Sequence, residues 1–101
     1  MQYSPNNPPP IGTKLKIKSG EQAAKLLGDV GFDDQSLQGL CIIVARTEVG
    51  LNSGYTAAVE HKCIVFDEEG DYYPLAVLEE LEPGEDCLTI RQKRLMDGDY
   101  E

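Results

Sequence analysis

Val65-Phe66-Asp67-Glu68-Glu69-Gly70-Asp71-Tyr72-Tyr73-Pro74-Leu75 is the stretch that decides the fold. Two β-prone runs flank Asp67 to Asp71, where four carboxylates and a glycine replace the apolar residues. Such a segment reads as a hairpin turn. Side chains alternate across a strand, so one of Tyr72 and Tyr73 points inward and the other outward. Pro74 has no N–H to give to a ladder, which puts it on an edge strand or at a strand's end.

Upstream, Thr13-Lys14-Leu15-Lys16-Ile17-Lys18 alternates strictly and predicts a half-buried strand with Leu15 and Ile17 inward. Ser19 followed by Gln22 has the spacing of a capping box, and Glu21 suits a first helical turn. Ala23, Ala24, Leu26 and Leu27 then give an apolar stripe that Gly28 ends, which predicts one short helix over about residues 20–27. Residues 28–38 read as loop. Leu40 to Ala45 is a continuous apolar run and reads as a central strand. Glu48 to Gly54 is a turn region. Tyr55 to Phe66 is β-prone throughout, as one long bent strand or as two pieces broken near His61. Downstream, Leu78 to Glu82 reads as a single helical turn. Cys87 to Arg91 reads as the last strand, with Leu88 and Ile90 inward.

The expected fold is mainly β, a β-rich α+β domain of five or six short strands with one inserted helix. The expected organisation is a flexible Pro/Asn-rich tail over 1–10, one domain over 11–95 and an acidic tail over 96–101. The order of Gly12 to Ile17, Gly39-Leu40, the stretch Val65 to Leu75 and then Leu78-Glu79 resembles the SH3-like barrel superfamily over roughly residues 11–92. The resemblance implies a small, partly open barrel in which first and last strands are neighbours. It would place Lys14, Lys16 and Lys18 near Arg91 and Lys93 as one basic ribbon. It does not imply binding of proline-rich ligands, because the Ala-Leu-Tyr-like run and the tryptophan of the peptide-binding members are missing. Pro5 and Pro8 have PxxP spacing, which is common by chance.

The chain has 101 residues and a net charge of −9. That charge is uneven. Residues 1–59 balance Glu21, Asp29, Asp33, Asp34 and Glu48 against Lys14, Lys16, Lys18, Lys25 and Arg46. The remainder carries only Lys62, Arg91, Lys93 and Arg94 against a large excess of acids. Such a surface repels free nucleic acid, so direct DNA or RNA binding is not expected. No run approaches the roughly 20 apolar residues of a membrane helix, and Met1 to Pro10 has no basic start and no apolar core of a secretory signal. Cys41, Cys63 and Cys87 are odd in number and widely spaced, which predicts reduced thiols and a cytoplasmic location.

Chemistry-bearing groups are few. His61 and Cys63 would share one face of a strand, a pairing that suits a nucleophile or a metal. There is no CxxC, no Gly-rich phosphate loop and no nucleophile elbow. The expectation is therefore a protein that is not an enzyme and uses no cofactor or metal. The leading reading is a protein–protein interaction module. Its face would be Tyr72, Tyr73, Asp67, Glu68, Glu69 and Asp71, meeting a partner with a basic surface by cation–π contact and ion pairing. A second acidic surface, Glu79, Glu80, Glu82, Glu85 and Asp86, gives the alternative: an inhibitor that mimics nucleic acid to occupy a host DNA- or RNA-binding protein. Small acidic proteins of phages and mobile elements often act so, and this chain resembles them in size and charge. An edge strand would also allow a dimer.

Overall fold

The computed structural model describes residues 3–32, 35–50, 53–96 and 98. Among the described residues the strands form two antiparallel three-stranded sheets, which makes the fold strand-rich α+β. In the first sheet, β1 (Lys14–Ile17) lies between β2 (Cys41–Ile43) and β6 (Leu78–Glu80). In the second, β4 (Cys63–Phe66) lies between β3 (Arg46–Val49) and β5 (Tyr72–Pro74). Only Val44 and Ala45 separate β2 from β3, so one stretch of chain serves both sheets. Pro74 ends an edge strand, as its missing donor requires.

The lysine-rich strand forms as its alternation dictates. Leu15 and Ile17 are fully buried, and Lys14 and Lys16 face out. Helix α1 (Glu21–Asp29) follows and buries Ala23 and Leu27 against the same core. Its start corrects the capping box: Gly20, at φ 114°, is the N-cap residue, and no side chain caps the helix. That φ is one glycine reaches without strain. The Gly20 N–H is instead taken by Gln38 Oε1 at 3.0 Å, from across the 28–38 loop. That loop includes a 3₁₀ turn at Gln35–Leu37, whose Leu37 is buried.

Three expectations are overturned. The run Tyr55 to Phe66 is not β throughout. Thr56–His61 forms helix α2, and only then does β4 begin. Ala57, Ala58 and Glu60 favour helix more strongly than the surrounding residues favour strand. Lys62, at φ 71°, is the left-handed residue that ends α2 and turns the chain into β4. Next, the helical turn comes earlier than expected, as a 3₁₀ turn at Leu75–Val77, and Leu78–Glu80 is itself a strand. Finally, Cys87 to Arg91 is not the last strand. Ile90–Met96 is helix α3, so among the described residues three α-helices stand where one was expected. Thr89 and Gln92 form the reciprocal capping box: Thr89 Oγ1 accepts from the Gln92 N–H at 3.0 Å, and Gln92 Oε1 from the Thr89 N–H at 2.9 Å.

β4 is buried at every position because both faces of its sheet are covered. Cys63, Val65 and the cross-strand partner Tyr73 face the main core. Ile64 and Phe66 face a second, smaller cluster under α2, with Ala58 as its third buried member. Phe32 stacks on Tyr73 with ring centres 5.0 Å apart, closing the main core from the α1 side. Of the proline-rich start, Tyr3 packs against the core and Pro9 is buried, so this part of the expected tail lies on the domain. Of the acidic C-terminal stretch, Asp97, Asp99, Tyr100 and Glu101 lie outside the described residues.

The cysteines are also corrected. Cys41 and Cys87 are joined by a disulfide spanning 46 residues of sequence, with Cα atoms 6.3 Å apart. Cys63 alone remains a free, buried thiol. Among the described residues no helix is long and apolar enough to cross a membrane.

Candidate binding face

The hairpin Asp67–Asp71 forms as its composition predicts, but its first acid is not on the surface. Asp67 is 7 % exposed. Its Oδ1 accepts from the backbone N–H groups of Glu69 at 2.9 Å and Asp71 at 3.0 Å, and so it holds the turn closed. Its Oδ2 accepts from the Tyr73 hydroxyl at 2.9 Å. Burial pushes the Asp67 carboxyl above its ordinary value, against the pull of the Tyr73 hydrogen bond. Burial, and then the Asp67 charge, push the Tyr73 phenol strongly upward. These two residues, expected on the partner-facing surface, are the interior brace of the hairpin.

Tyr72 points the other way, as alternation requires. It does not stand alone in solvent. Pairing across β3, β4 and β5 sets Arg46, Phe66 and Tyr72 side by side in one row. Tyr55, the residue before α2, meets Phe66 edge-on at 5.1 Å and Tyr72 at 6.0 Å. Phe66 and Tyr72 are tilted against each other at 5.5 Å. The Arg46 guanidinium lies over the Phe66 ring, 3.7 Å from its centre, and 5.4 Å from that of Tyr55. It donates to Glu48 Oε1 at 2.9 Å and to the Tyr55 hydroxyl at 2.8 Å. The result is a ledge in which the partly exposed Tyr55 and Tyr72 rest on the buried Phe66 ring, beside a guanidinium held by a carboxylate. Of these residues the sequence reading found only Tyr72. Arg46, Glu48, Tyr55 and Phe66 come from three separate segments, and only the pairing register brings them together.

The other hairpin acids divide. Glu68 is exposed at the tip. Glu69 and Asp71 face α3, whose Arg94 lies 3.4 Å from Glu69 Oε2 and 3.9 Å from Asp71 Oδ2.

The second acidic run lies beside β1 and meets its lysines. Because β6, not residues 87–91, pairs with β1, Lys16 stands opposite Glu79. Lys16 contacts Glu85 directly and lies 3.7 Å from Glu79, and Lys14 is 3.8 Å from Asp86. The Glu85 hydrogen bond raises the Lys16 ammonium above its usual range, and the same bond lowers the Glu85 carboxyl. The expected basic ribbon of these lysines with Arg91 and Lys93 is therefore corrected: Lys14 and Lys16 interleave with acids. Glu80 and Glu82 are exposed.

His61 and Cys63 do not share a strand face. His61 ends α2, Lys62 turns, and Cys63 opens β4 toward the main core. Burial raises the Cys63 thiol. His61 Nε2 is enclosed and makes no hydrogen bond. Among the described residues, no three His, Cys, Asp or Glu side chains gather as a metal site.

Comparison with protein-family models, with curated proteins and with solved structures finds no match to this chain.

Proposed function

We propose that this chain is a non-enzymatic binding module, an SH3-like partly open barrel that engages a protein partner bearing basic side chains. The barrel reading is supported by the continuous passage from β2 to β3, the 3₁₀ turn before β6 and the return of β6 to β1. The binding face is the ledge of Tyr55 and Tyr72, flanked by Glu48 and the exposed Glu68. One observation carries the reading: the face already holds a guanidinium, that of Arg46, between the Phe66 ring and the Glu48 carboxylate. Ring faces and nearby carboxylates attract cations by the same physics whether the cation is internal or comes from a partner. Tyrosine is also a favoured anchor in interfaces, since it offers a large rigid apolar area with a polar end.

The test is capture from lysate by the purified domain at low and high salt, comparing the wild type with Tyr55→Ala and Tyr72→Ala. The expected result is a protein that survives high salt and is lost with either substitution, an anchor loss of about thirtyfold in affinity. Tyr55 is 36 % exposed and belongs to neither buried cluster, so its removal spares the main core. Capture unchanged by both substitutions would sink the reading. Capture that collapses with salt and is displaced by DNA would transfer the function to the acidic run and the mimic alternative.

A further inference from the structure

Beyond β6 the chain returns across the open edge of β2. The Cys41 N–H donates to the Leu88 carbonyl at 2.8 Å, and Cys41 pairs with Thr89 as an isolated parallel bridge. From there α3 reaches the hairpin, where Arg94 meets Glu69 and Asp71. A narrow seam runs between β2, the hairpin root and the start of α3, lined by Cys41, Ile43, Asp67, Glu69, Thr89 and Ile90.

Among the described residues, the non-covalent hold of this segment on the rest of the domain is thin. Of Cys87–Met96 only Ile90 is buried. Leu88, Leu95 and Met96 are 41 %, 57 % and 72 % exposed. The Arg94 contacts are long and partly solvated, and such pairs add little. Ordering a whole segment costs more than one buried isoleucine returns. What makes the attachment persistent is the Cys41–Cys87 bond, whose Cα separation of 6.3 Å lies within the usual range for disulfides. It replaces the tether through residues 81–86 with a direct link, so the segment is held against β2 even when its other contacts open.

We propose that Cys87–Met96 is a strap over the β2 edge, and that thiol–disulfide exchange with a dithiol at Cys41–Cys87 switches it between attached and released. Cys41 is fully buried and Cys87 only partly, so the incoming thiolate attacks the Cys87 sulfur. The protein S–S bond breaks, and Cys41 leaves as a thiolate and takes a proton. The reductant's second thiolate then displaces Cys87 from the mixed disulfide. Two electrons pass to the protein, which ends with two thiols, and the dithiol ends as a disulfide. Cys63 sits on β4 in the core, where desolvation keeps it protonated and out of the exchange.

Release uncovers the backbone edge of Cys41–Ile43. An open strand edge is a pairing site for another strand. Release also withdraws Arg94 from Glu69 and Asp71, leaving the hairpin more negative. That last link rests on the binding reading above; the strap itself does not.

The experiment is timed native trypsin digestion of the oxidised and the dithiothreitol-treated protein, with cleavage sites mapped by mass spectrometry. The strap carries Arg91, Lys93 and Arg94, while β1 and α1 carry Lys14, Lys16 and Lys25. Reduction is expected to speed cleavage within the strap by about tenfold or more and to leave the β1 and α1 sites unchanged, since local opening governs native cleavage. Cys87→Ser should cleave as the reduced protein does under either condition. Ile90→Ala, with the disulfide intact, should stay slow. Equal strap cleavage in oxidised and reduced protein overturns the proposal. Acceleration at Lys14, Lys16 and Lys25 as well also overturns it, because the bond would then hold the whole domain together. Neither outcome depends on partner capture, so failure of the strap and failure of the binding face are read separately.

Discussion

Tyr73 and Asp67 are joined inside the domain, phenol hydroxyl to carboxylate at 2.9 Å, six residues apart across one hairpin. The carboxylate also takes two backbone N–H groups of the turn, so this bond links the hairpin tip to the main core. Tyr73→Phe keeps the ring and its stacking on Phe32 but leaves a buried carboxylate with one donor fewer. Hydrogen bonds to charged groups are worth about 1.5–3 kcal/mol. A loss of that size is expected in the unfolding free energy measured by urea titration. A change within about 0.5 kcal/mol would show that water replaces the phenol at no cost.

The acid limb of stability has two opposed contributions. Asp67 has its folded value raised above 3.8 by burial. Its contribution is therefore fully present below 3.8 and is lost as pH rises through the raised folded value. Glu85 is lowered below 4.5 by the Lys16 hydrogen bond. Its contribution is fully present above 4.5 and is lost as pH falls through the lowered folded value. Urea midpoints measured from pH 3 to pH 7 separate the two. Glu85→Gln should reduce the fall in stability on acidification, and Asp67→Asn should remove the opposing rise. An acid limb unchanged in Glu85→Gln would show that its contact with Lys16 is not held in solution.

Local rules succeeded where a segment's own chemistry fixes its shape. The alternation Lys14 to Lys18, the hairpin Asp67–Asp71, the edge placement of Pro74 and the opposite facing of Tyr72 and Tyr73 were all legible. They failed where two local signals compete. Leu88 and Ile90 alternate like a strand, yet Thr89 and Gln92 form a capping box of the same kind as that read at Ser19 and Gln22, and the helix wins. At Ser19 the box loses because glycine follows and takes the cap position. The disulfide was illegible because its cysteines lie 46 residues apart and the total is odd. Of the aromatic ledge only Tyr72 was found, since Arg46, Tyr55 and Phe66 meet through register and the position of α2.

The Arg46 guanidinium is a planar group lying over Phe66 and donating to Glu48 and Tyr55. Lysine keeps the charge but neither the plane nor the fork of donors. Arg46→Lys is therefore expected to release Tyr55 nearly as fully as Arg46→Ala does. The readout is Tyr55 ring relaxation and ring-current shifts by NMR, with the methyl signals of Val65 unmoved. Retention of the Tyr55 shifts in the lysine variant would reduce the contact to simple charge.

β4 provides the sharpest distinction between a half-buried strand and one buried on both faces. Ile64 faces the α2 cluster and its neighbour Val65 the main core, and both are fully buried. If the Ile64 face were open to solvent, Ile64→Ala would be nearly neutral, within about 0.5 kcal/mol. Under α2 it leaves a cavity among Ala58, Phe66 and the flanking aromatic rings, and truncation of a buried isoleucine costs about 2–5 kcal/mol. Equilibrium urea unfolding of Ile64→Ala is expected to fall in that range, and Thr56–His61 should lose hydrogen-exchange protection before the β1 sheet does. A near-neutral result would mean that α2 is detached in solution and that the ledge built on it, from Tyr55 to Tyr72, does not persist.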